Sequence, residues 1–294
     1  MGITSAEHND SGPERGDRVA PWFTIERVKK GISIQMHHGV PRQVFIAAAL
    51  ALSFGGLLPA QAVSNCSPKD MQGGWAAQPQ GFFTAGPVAG PFGATGTEVF
   101  DGVGRFDGKA SSSFNGQIIF PFGADGSYTV TPDCRITIFE ETLRITFQGW
   151  LVNNNTEAVL YEPDPTSIAV VLLRRQNIAT CDLTNLKDTW VLSASGYNIV
   201  IPDGRFAWNA RLVFDGAGRV AGIASKSDNG VITRDGKYNG IYTVNASDCS
   251  FKMKLTDDTG LTLGFFGSLF DNSRQLLFIS NDPGQVVTGF GKRP

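Results

Sequence analysis

The sequence predicts an all-β protein made of two homologous antiparallel barrels in tandem, each with eight strands connected as a meander. Three observations carry this prediction. Sequence motifs recur with an offset of about 115 residues, apolar and polar residues alternate with a period of two, and turn pairs rich in Asp, Asn and Gly separate the alternating runs. Two β-sandwich units are the alternative arrangement of the same strands.

The N-terminal part has the pattern of a secretory signal peptide. Arg42 precedes an apolar stretch at 44–58, and the Ala-x-Ala sequence that signal peptidase accepts ends at Ala62. We therefore predict a signal peptide over 36–62 with cleavage after Ala62, which makes the chain a secreted or periplasmic bacterial protein with no stable membrane span after cleavage. Residues 1–35 are polar and unpatterned, and we interpret them as an over-extended, disordered start.

The repeat divides the exported chain into two units, 63–176 and 177–294. Four motifs of the first unit return in register in the second, with small changes of offset of the kind that loop insertions cause. The pairs are Cys66-x4-Met71-x3-Trp75 and Cys181-x4-Leu186-x3-Trp190, Phe100-Asp-Gly-Val-Gly-Arg105 and Phe214-Asp-Gly-Ala-Gly-Arg219, Tyr128-Thr-Val130 and Tyr242-Thr-Val244, and Asp133-Cys134 and Asp248-Cys249.

The four cysteines follow the same repeat. Four cysteines in an exported chain allow three pairings, and the duplication selects Cys66–Cys134 and Cys181–Cys249, both 68 residues apart. Each unit then closes its own loop, which contributes about 4 kcal/mol in the chain-entropy account of disulfide stabilisation. No cysteine is left to act as a nucleophile or a metal ligand.

Eight strands are predicted in the second unit. In 249–256, for example, Phe251, Met253 and Leu255 alternate with polar residues, so that one face is buried and the other is wet. The predicted strands are 189–194, 206–214, 218–225, 237–245, 249–256, 259–269, 273–280 and 285–291, with predicted turns at Asp203-Gly204, Asp215-Gly216, Asn229-Gly230, Asp235-Gly236 and Asp271-Asn272. Closing such a meander removes its exposed edges.

A family resemblance rests on the start and the end of each unit. The Cys-bearing turn that leads into Gly73-Gly74-Trp75 resembles the G-x-W opening of the calycins, which include lipocalins and avidins. The Gly-rich hairpins and closing disulfide resemble secreted bacterial proteins with lipocalin-like or allene-oxide-cyclase-like barrels. The resemblance implies that a basic side chain of the last strand, Arg175 or Arg293, packs across Trp75 or Trp190. The second unit departs from the motif, since Asp188 stands where the motif has Gly.

The lack of histidine excludes most catalytic constellations. All three histidines precede the predicted cleavage site, so the exported chain has no Ser-His or Cys-His pair, no His-ligated metal and no imidazole base. We predict no catalytic residue, no metal and no cofactor. Lys and Arg number 25 against 27 Asp and Glu, a balance that argues against nucleic acid as a partner.

Candidate binding residues are few. Tyr128 and Tyr242 stand at equivalent positions and are predicted to place a hydroxyl in the interior or to cap it. The second unit has no Glu, whereas Glu157 and Glu162 lie near a strand of the first unit that can face the interior. Glu140 and Glu141 fall in a hairpin, with one side chain expected in solvent.

These observations favour a non-catalytic binding protein that holds a small apolar molecule in a barrel interior. The alternatives are a structural or surface-interaction module of the cell envelope, and a barrel enzyme of the isomerase or cyclase kind that uses a buried Glu. An interior cavity of about 300 Å³ or more, the lower end for ligand sites, distinguishes binding from the structural role.

Overall fold

The computed structural model describes residues 65–86, 89–178, 180–199 and 204–294, together with two short strands near the N-terminus. The chain divides into two compact units, Met1–Gln61 and Ala62–Pro294. In the first of these, β1 (Thr24–Val28) and β2 (Gly31–Gln35) form an antiparallel hairpin inside the segment predicted to be disordered. The rest of that segment and the predicted signal peptide lie outside the described residues.

Both barrels lie in the unit Ala62–Pro294, and the predicted closure is confirmed. In the second barrel, eight strands pair in sequence order and the last pairs with the first. They are β12 (Asp188–Asn198), β13 (Gly204–Phe214), β14 (Arg219–Asp228), β15 (Val231–Val244), β16 (Ser250–Asp257), β17 (Thr262–Phe270), β18 (Gln275–Ser280) and β19 (Gln285–Lys292). The second repeat is therefore a closed barrel and not a β-sandwich.

The first barrel has the same wall with one strand broken in two. Its strands are β3 (Gly73–Phe83), β4 (Gly90–Phe100), β5 (Arg105–Phe114), β6 (Gln117–Gly123), β7 (Gly126–Val130), β8 (Arg135–Glu140), β9 (Ile145–Val152), β10 (Glu157–Tyr161) and β11 (Ser167–Arg175). Strand β5 pairs with both β6 and β7, which together take the place that β15 has in the second barrel. Pairing of β11 with β3 and of β4 with β5 completes the ring.

One predicted turn is wrong. Asp235-Gly236 lies within β15 and not between two strands. Asp235 has a φ of 53° there, and the pairing with β14 shifts its register between Ala224 and Lys226. A β-bulge accommodates the positive φ of Asp235. The bulge adds one residue to β15, and the strand continues in the same direction.

The start of each barrel is anchored by a short 3-10 turn, at Pro68–Met71 and at Leu183–Leu186. The indole Nε1 of Trp75 donates to the Met71 carbonyl at 2.7 Å, and that of Trp190 donates to the Leu186 carbonyl at 2.8 Å. The predicted disulfides Cys66–Cys134 and Cys181–Cys249 are present. Both fully buried Trp side chains thus have their polar group satisfied, and each disulfide joins the chain before a 3-10 turn to the loop preceding a middle strand.

The two barrels pack wall against wall, through strands β3–β5 of the first and β17–β19 of the second. Small and polar side chains form hydrogen bonds across this contact, next to an apolar cluster of Ala76, Phe270 and Leu277. The Ser268 hydroxyl donates to the Gly96 carbonyl at 2.9 Å, and Ser111 donates to Asn281 Oδ1 at 2.9 Å. At its edge Gly284 N–H donates to the Gly116 carbonyl at 2.7 Å. A Cβ on Gly116, which has a φ of 79°, would stand 2.8 Å from the Gly284 Cα, so glycine permits this approach.

Candidate functional site

The interior of the first barrel contains a cavity of about 70 Å³. Its walls are mostly apolar and come from eight strands and the segments between them. Among the lining residues are Ala77, Phe92, Phe106, Phe114, Phe147 and Leu173. Leu143 lines it from the turn between β8 and β9 and is itself exposed, so this turn forms the mouth of the cavity.

The internal repeat explains why the first barrel has room. Several inward-facing positions carry large apolar side chains in the second barrel and smaller or acidic ones in the first. The offset is 114 residues up to the tyrosines Tyr128 and Tyr242 and 115 at the following cysteines. The exchanged pairs, first barrel before second, are Ala94 and Trp208, Ala124 and Tyr238, Glu98 and Leu212, and Glu140 and Leu255.

Aromatic rings fill the second barrel. The Trp208 ring stacks on Phe265 with centroids 5.6 Å apart and meets Tyr238 and Phe278 edge-on at 6.1 and 6.4 Å. Trp208 is 1% exposed, and Leu212 and Leu255 are completely buried. These side chains make the second interior a continuous apolar core.

Glu98 is the most unusual residue of the first interior. It projects from β4 into the cavity, and none of the described residues donates a hydrogen bond to its carboxyl group. Burial, followed by the nearby charge of Glu140, raises its pKa from 4.5 to about 8. The carboxyl group therefore carries a proton near neutral pH.

Glu140 is the second carboxyl group of the cavity. It ends β8, and its oxygens accept hydrogen bonds from the backbone N–H groups of Thr142 and Leu143. Burial raises the pKa of Glu140, and the two backbone donors oppose that rise. Because those donors favour the ionised form, we assign the negative charge of the pair to Glu140 and the proton to Glu98. Glu141, the next residue, is exposed and forms an ion pair with Arg105 at 2.6 Å.

The two glutamates singled out by the sequence do not line the cavity. Glu157 forms an ion pair with Arg174, its cross-strand partner on β11, and faces away from the barrel interior. Glu162 does point inward and is buried, which raises its pKa. It lies beyond the end of β10 next to Ser167, and its Oε2 has no hydrogen-bond partner among the described residues.

Tyr128 and Tyr242 close the ends of the barrels. Their hydroxyl groups donate to the carbonyls of Pro68 and Leu183, both at 3.1 Å. Their rings meet Phe100 and Phe214 edge-on, with centroids 5.0 Å apart in each case. Both tyrosines thus fasten the 3-10 turns, and neither lines the cavity.

The expected contact between a basic residue and the first tryptophan is present in both barrels. The Arg175 guanidinium lies 4.6 Å from the centroid of the Trp75 ring, and Arg293 lies 5.2 Å from that of Trp190. Arg175 also donates to the Gln72 carbonyl at 2.7 Å. These pairs close one end of each barrel.

A larger groove of about 770 Å³ runs between the barrels. It is open to solvent, and among its polar side chains Thr288 donates to Gln80 at 2.5 Å. Phe82 and Tyr197 meet edge-on across it at 5.7 Å. Because it is open to solvent, the groove is a weaker candidate than the enclosed cavity.

Two features are absent from the described residues. No group of three or more His, Cys, Asp or Glu side chains there is arranged to hold a metal ion. No helix in that part of the chain is long and apolar enough to cross a membrane.

Comparisons with known proteins identify neither a family nor a ligand for this chain. No protein-family model matches the sequence, and no curated protein matches it. Among solved structures, the chain is similar to a protein of unknown function of the DUF3598 family from Nostoc punctiforme. The two share 8% identity with a TM-score of 0.24, and the match covers 76% of this chain and 97% of that one. A likeness of this degree says nothing about a ligand.

The sequence analysis did not predict Glu98 and Glu140 as a pair that lines the interior, although the internal repeat contains evidence for it. Glu98 aligns with Leu212 of the repeat, and Glu140 aligns with Leu255. An acidic residue at a position where the repeat has a core leucine predicts an inward-facing carboxyl group.

Proposed function

We propose that the chain is an exported, non-catalytic binding protein whose first barrel holds a small ligand and whose second barrel is a filled brace. One observation carries this proposal: Ala94, Ala124, Glu98 and Glu140 replace a Trp, a Tyr and two Leu of the repeat. A barrel selected only for stability has no need of these exchanges, because the second barrel packs the same wall with apolar residues.

The size of the cavity limits the ligand. At about 70 Å³ it is well below the roughly 300 Å³ at which ordinary ligand pockets begin, so a group of a few heavy atoms fits inside. The calycin-like opening, in which Arg175 covers Trp75, supports the same kind of role. Two disulfides fit an oxidising compartment, and with the predicted cleavage after Ala62 they support secretion or a periplasmic location.

Methyl NMR tests the proposal directly. 1-Propanol, propylammonium and propionate are titrated into the protein while the methyl signals of Ile138 and Leu160, which line the cavity, are followed. We expect at least one probe to shift both signals, and Ala94→Leu to weaken that binding at least tenfold by occupying the space. Ala221→Leu, on the exposed face of β14, is the matched control. If no probe shifts these signals, or if Ala94→Leu binds the probe as tightly as the wild type does, the binding role is rejected.

A second candidate is an isomerase or cyclase type of enzyme. It is favoured by the acid and base pair, since Glu98 holds a proton beside an ionised Glu140. Glu98 would protonate a carbonyl oxygen while Glu140 takes a proton from the adjacent carbon. Acetone in D2O tests this: faster deuterium incorporation with the wild type than with Glu98→Gln supports catalysis, and equal rates argue against it. The cavity of about 70 Å³ is smaller than the roughly 300 Å³ expected of an ordinary ligand site, and together with the filled second barrel it also suits the envelope-module alternative.

A further inference from the structure

We infer that the ligand of the first barrel is a small organic cation, a primary ammonium or amidinium group on a short apolar body, bound between Glu98 and Glu140. This inference rests on the binding role proposed above and names the class of ligand for the same site.

The charge of the interior points to a cation. Glu98, Glu140 and Glu162 all project inward in the first barrel, and no Lys or Arg is among the described residues that line the cavity. A bound anion would meet unscreened repulsion in this apolar enclosure. A neutral apolar ligand would leave the Glu98 carboxyl group without a hydrogen-bond partner, as it is now, and would make no use of the polar group that lines its site.

The shape of the site fits a cation with an apolar body. Both carboxyl groups line the same cavity as the rings of Phe92, Phe106 and Phe114. Carboxylate oxygens bind N–H donors of a cation in charge-assisted hydrogen bonds, and aromatic faces attract cations and cover methylene groups. The two backbone bonds to Glu140 leave it further acceptor sites.

The second barrel supplies the internal reference. Leu212 and Leu255 occupy the equivalent positions and are completely buried, so this barrel architecture folds with two leucines there. The two carboxyl groups are therefore not needed to form the wall, and their desolvation is a cost that a leucine avoids. A cation that pairs with both groups offsets that cost.

Cation binding is coupled to proton release. Near neutral pH, Glu98 is protonated, and we assign the one negative charge of the empty site to Glu140 because two backbone N–H groups donate to it. When the ammonium ion enters, Glu98 loses its proton to solvent and becomes the second carboxylate. The affinity for the cation therefore rises with pH up to about 8, by about tenfold per pH unit between pH 6 and 7. Asp125 also acts on Glu140 by its charge, and no basic side chain faces the pair from the cavity lining.

The experiment compares three probes of the same length on the full protein: propylammonium, 1-propanol and propionate. Calorimetry at pH 6, 7 and 8, in buffers of different ionisation enthalpy, measures affinity and proton release. We expect propylammonium to bind at least tenfold tighter than the other two at pH 8, and to release close to one proton per site at pH 7. Glu98→Gln is expected to weaken its binding at least tenfold and to abolish the proton release, whereas Glu141→Gln leaves both unchanged.

The double variant Glu98→Leu/Glu140→Leu introduces the residues that the second barrel has at these positions. We therefore expect it to fold, and it tests the role of the two carboxyl groups even if Glu98→Gln does not fold. It is expected to bind propanol better than propylammonium. Equal or tighter binding of propanol or propionate by the wild type, or cation binding without proton release, would overturn the cation assignment while leaving the binding role intact. Failure of all three probes to bind rejects the binding role itself, and the cation assignment with it.

Discussion

Ala94 in the first barrel occupies the position that Trp208 holds in the second. Both side chains point into a barrel interior from the second strand of their barrel, and both are at least nine-tenths buried. The exchange of an indole for a methyl group opens space at the centre of one barrel while its twin remains solid. The first barrel therefore contains a cavity, whereas the second barrel, which has the same architecture, has a filled core. Comparing the two barrels shows which residues are responsible for the difference.

The filled core of the second barrel predicts a large cost for removing its central ring. Trp208→Ala is expected to lower the free energy of unfolding by about 3–5 kcal/mol, because the space left by the ring is lined by Phe265 and Phe278 and collapses only in part. Urea denaturation measures this loss. Trp150→Ala, at a half-exposed Trp of the first barrel, is the control and is expected to cost less than about 1 kcal/mol. Equal losses would contradict the assignment of Trp208 as the core residue.

The proton on Glu98 predicts how stability depends on pH. Burial and Glu140 raise its folded pKa from 4.5 to about 8, so the folded chain retains a proton that the unfolded chain releases. The contribution of this group is present in full below about pH 4.5 and is lost as pH rises to 8, by at most about 1.4 kcal/mol per pH unit.

Glu98→Gln tests this dependence. The variant keeps a neutral side chain at every pH, so its free energy of unfolding is expected to decrease less than that of the wild type between pH 5 and pH 8. Urea titrations at several pH values measure the difference. Glu141→Gln, at the exposed neighbour of Glu140, should follow the wild-type curve. A Glu98→Gln variant with the wild-type slope would show that the residue is ionised throughout.

The guanidinium of Arg175 predicts a loss that lysine does not repair. It lies over Trp75 and donates to the carbonyls of Asp70 and Gln72. A lysine ammonium lacks the planar fork that makes these contacts together, so Arg175→Lys is expected to cost about 2 kcal/mol of unfolding free energy. Arg135→Lys, over the half-exposed Trp150 at 5.6 Å, is the comparison. Thermal unfolding should separate the two variants, and similar midpoints would refute the prediction.

The amide of Gln78 predicts coupling between the barrels. Its Nε2 donates to the carbonyls of Phe278 and Gly289 at 3.1 and 2.9 Å, across the contact between the walls. Gln78→Ala removes both donors from a buried interface and is expected to cost about 1–3 kcal/mol. Calorimetry should then show a broader transition as the barrels begin to unfold separately. Gln117→Ala, at an exposed site on β6, should retain the wild-type profile.

Much of the fold was predictable because its signals are local or repeated. The eight alternating runs of the second barrel correspond to strands β12–β19, and the duplicated cysteine spacing identified both disulfides. The turn predicted at Asp235-Gly236 is wrong because the same residue pair suits both a hairpin turn and a β-bulge. Which of the two forms depends on whether the partner strand continues past it, and that is a property of the neighbouring strand.

The candidate site was less accessible for the same reason. Glu157 and Glu162 are candidates from the sequence because they lie near one strand that can face the interior. In the structure, Glu157 faces outward and forms an ion pair with Arg174. Glu98 and Glu140 lie on strands that do not pair with each other. Their proximity arises from closure of the ring, which brings inward-facing residues of separate strands into one small volume.

The sequence alone determined the duplication, the all-β class, the two disulfides and the absence of histidine from the region after residue 62, because these depend on composition and spacing along the chain. Only the tertiary structure decided that one barrel is hollow and acidic while the other is filled. Strand register selects which side chains point inward, and the burial that closure imposes on them raises the pKa of Glu98.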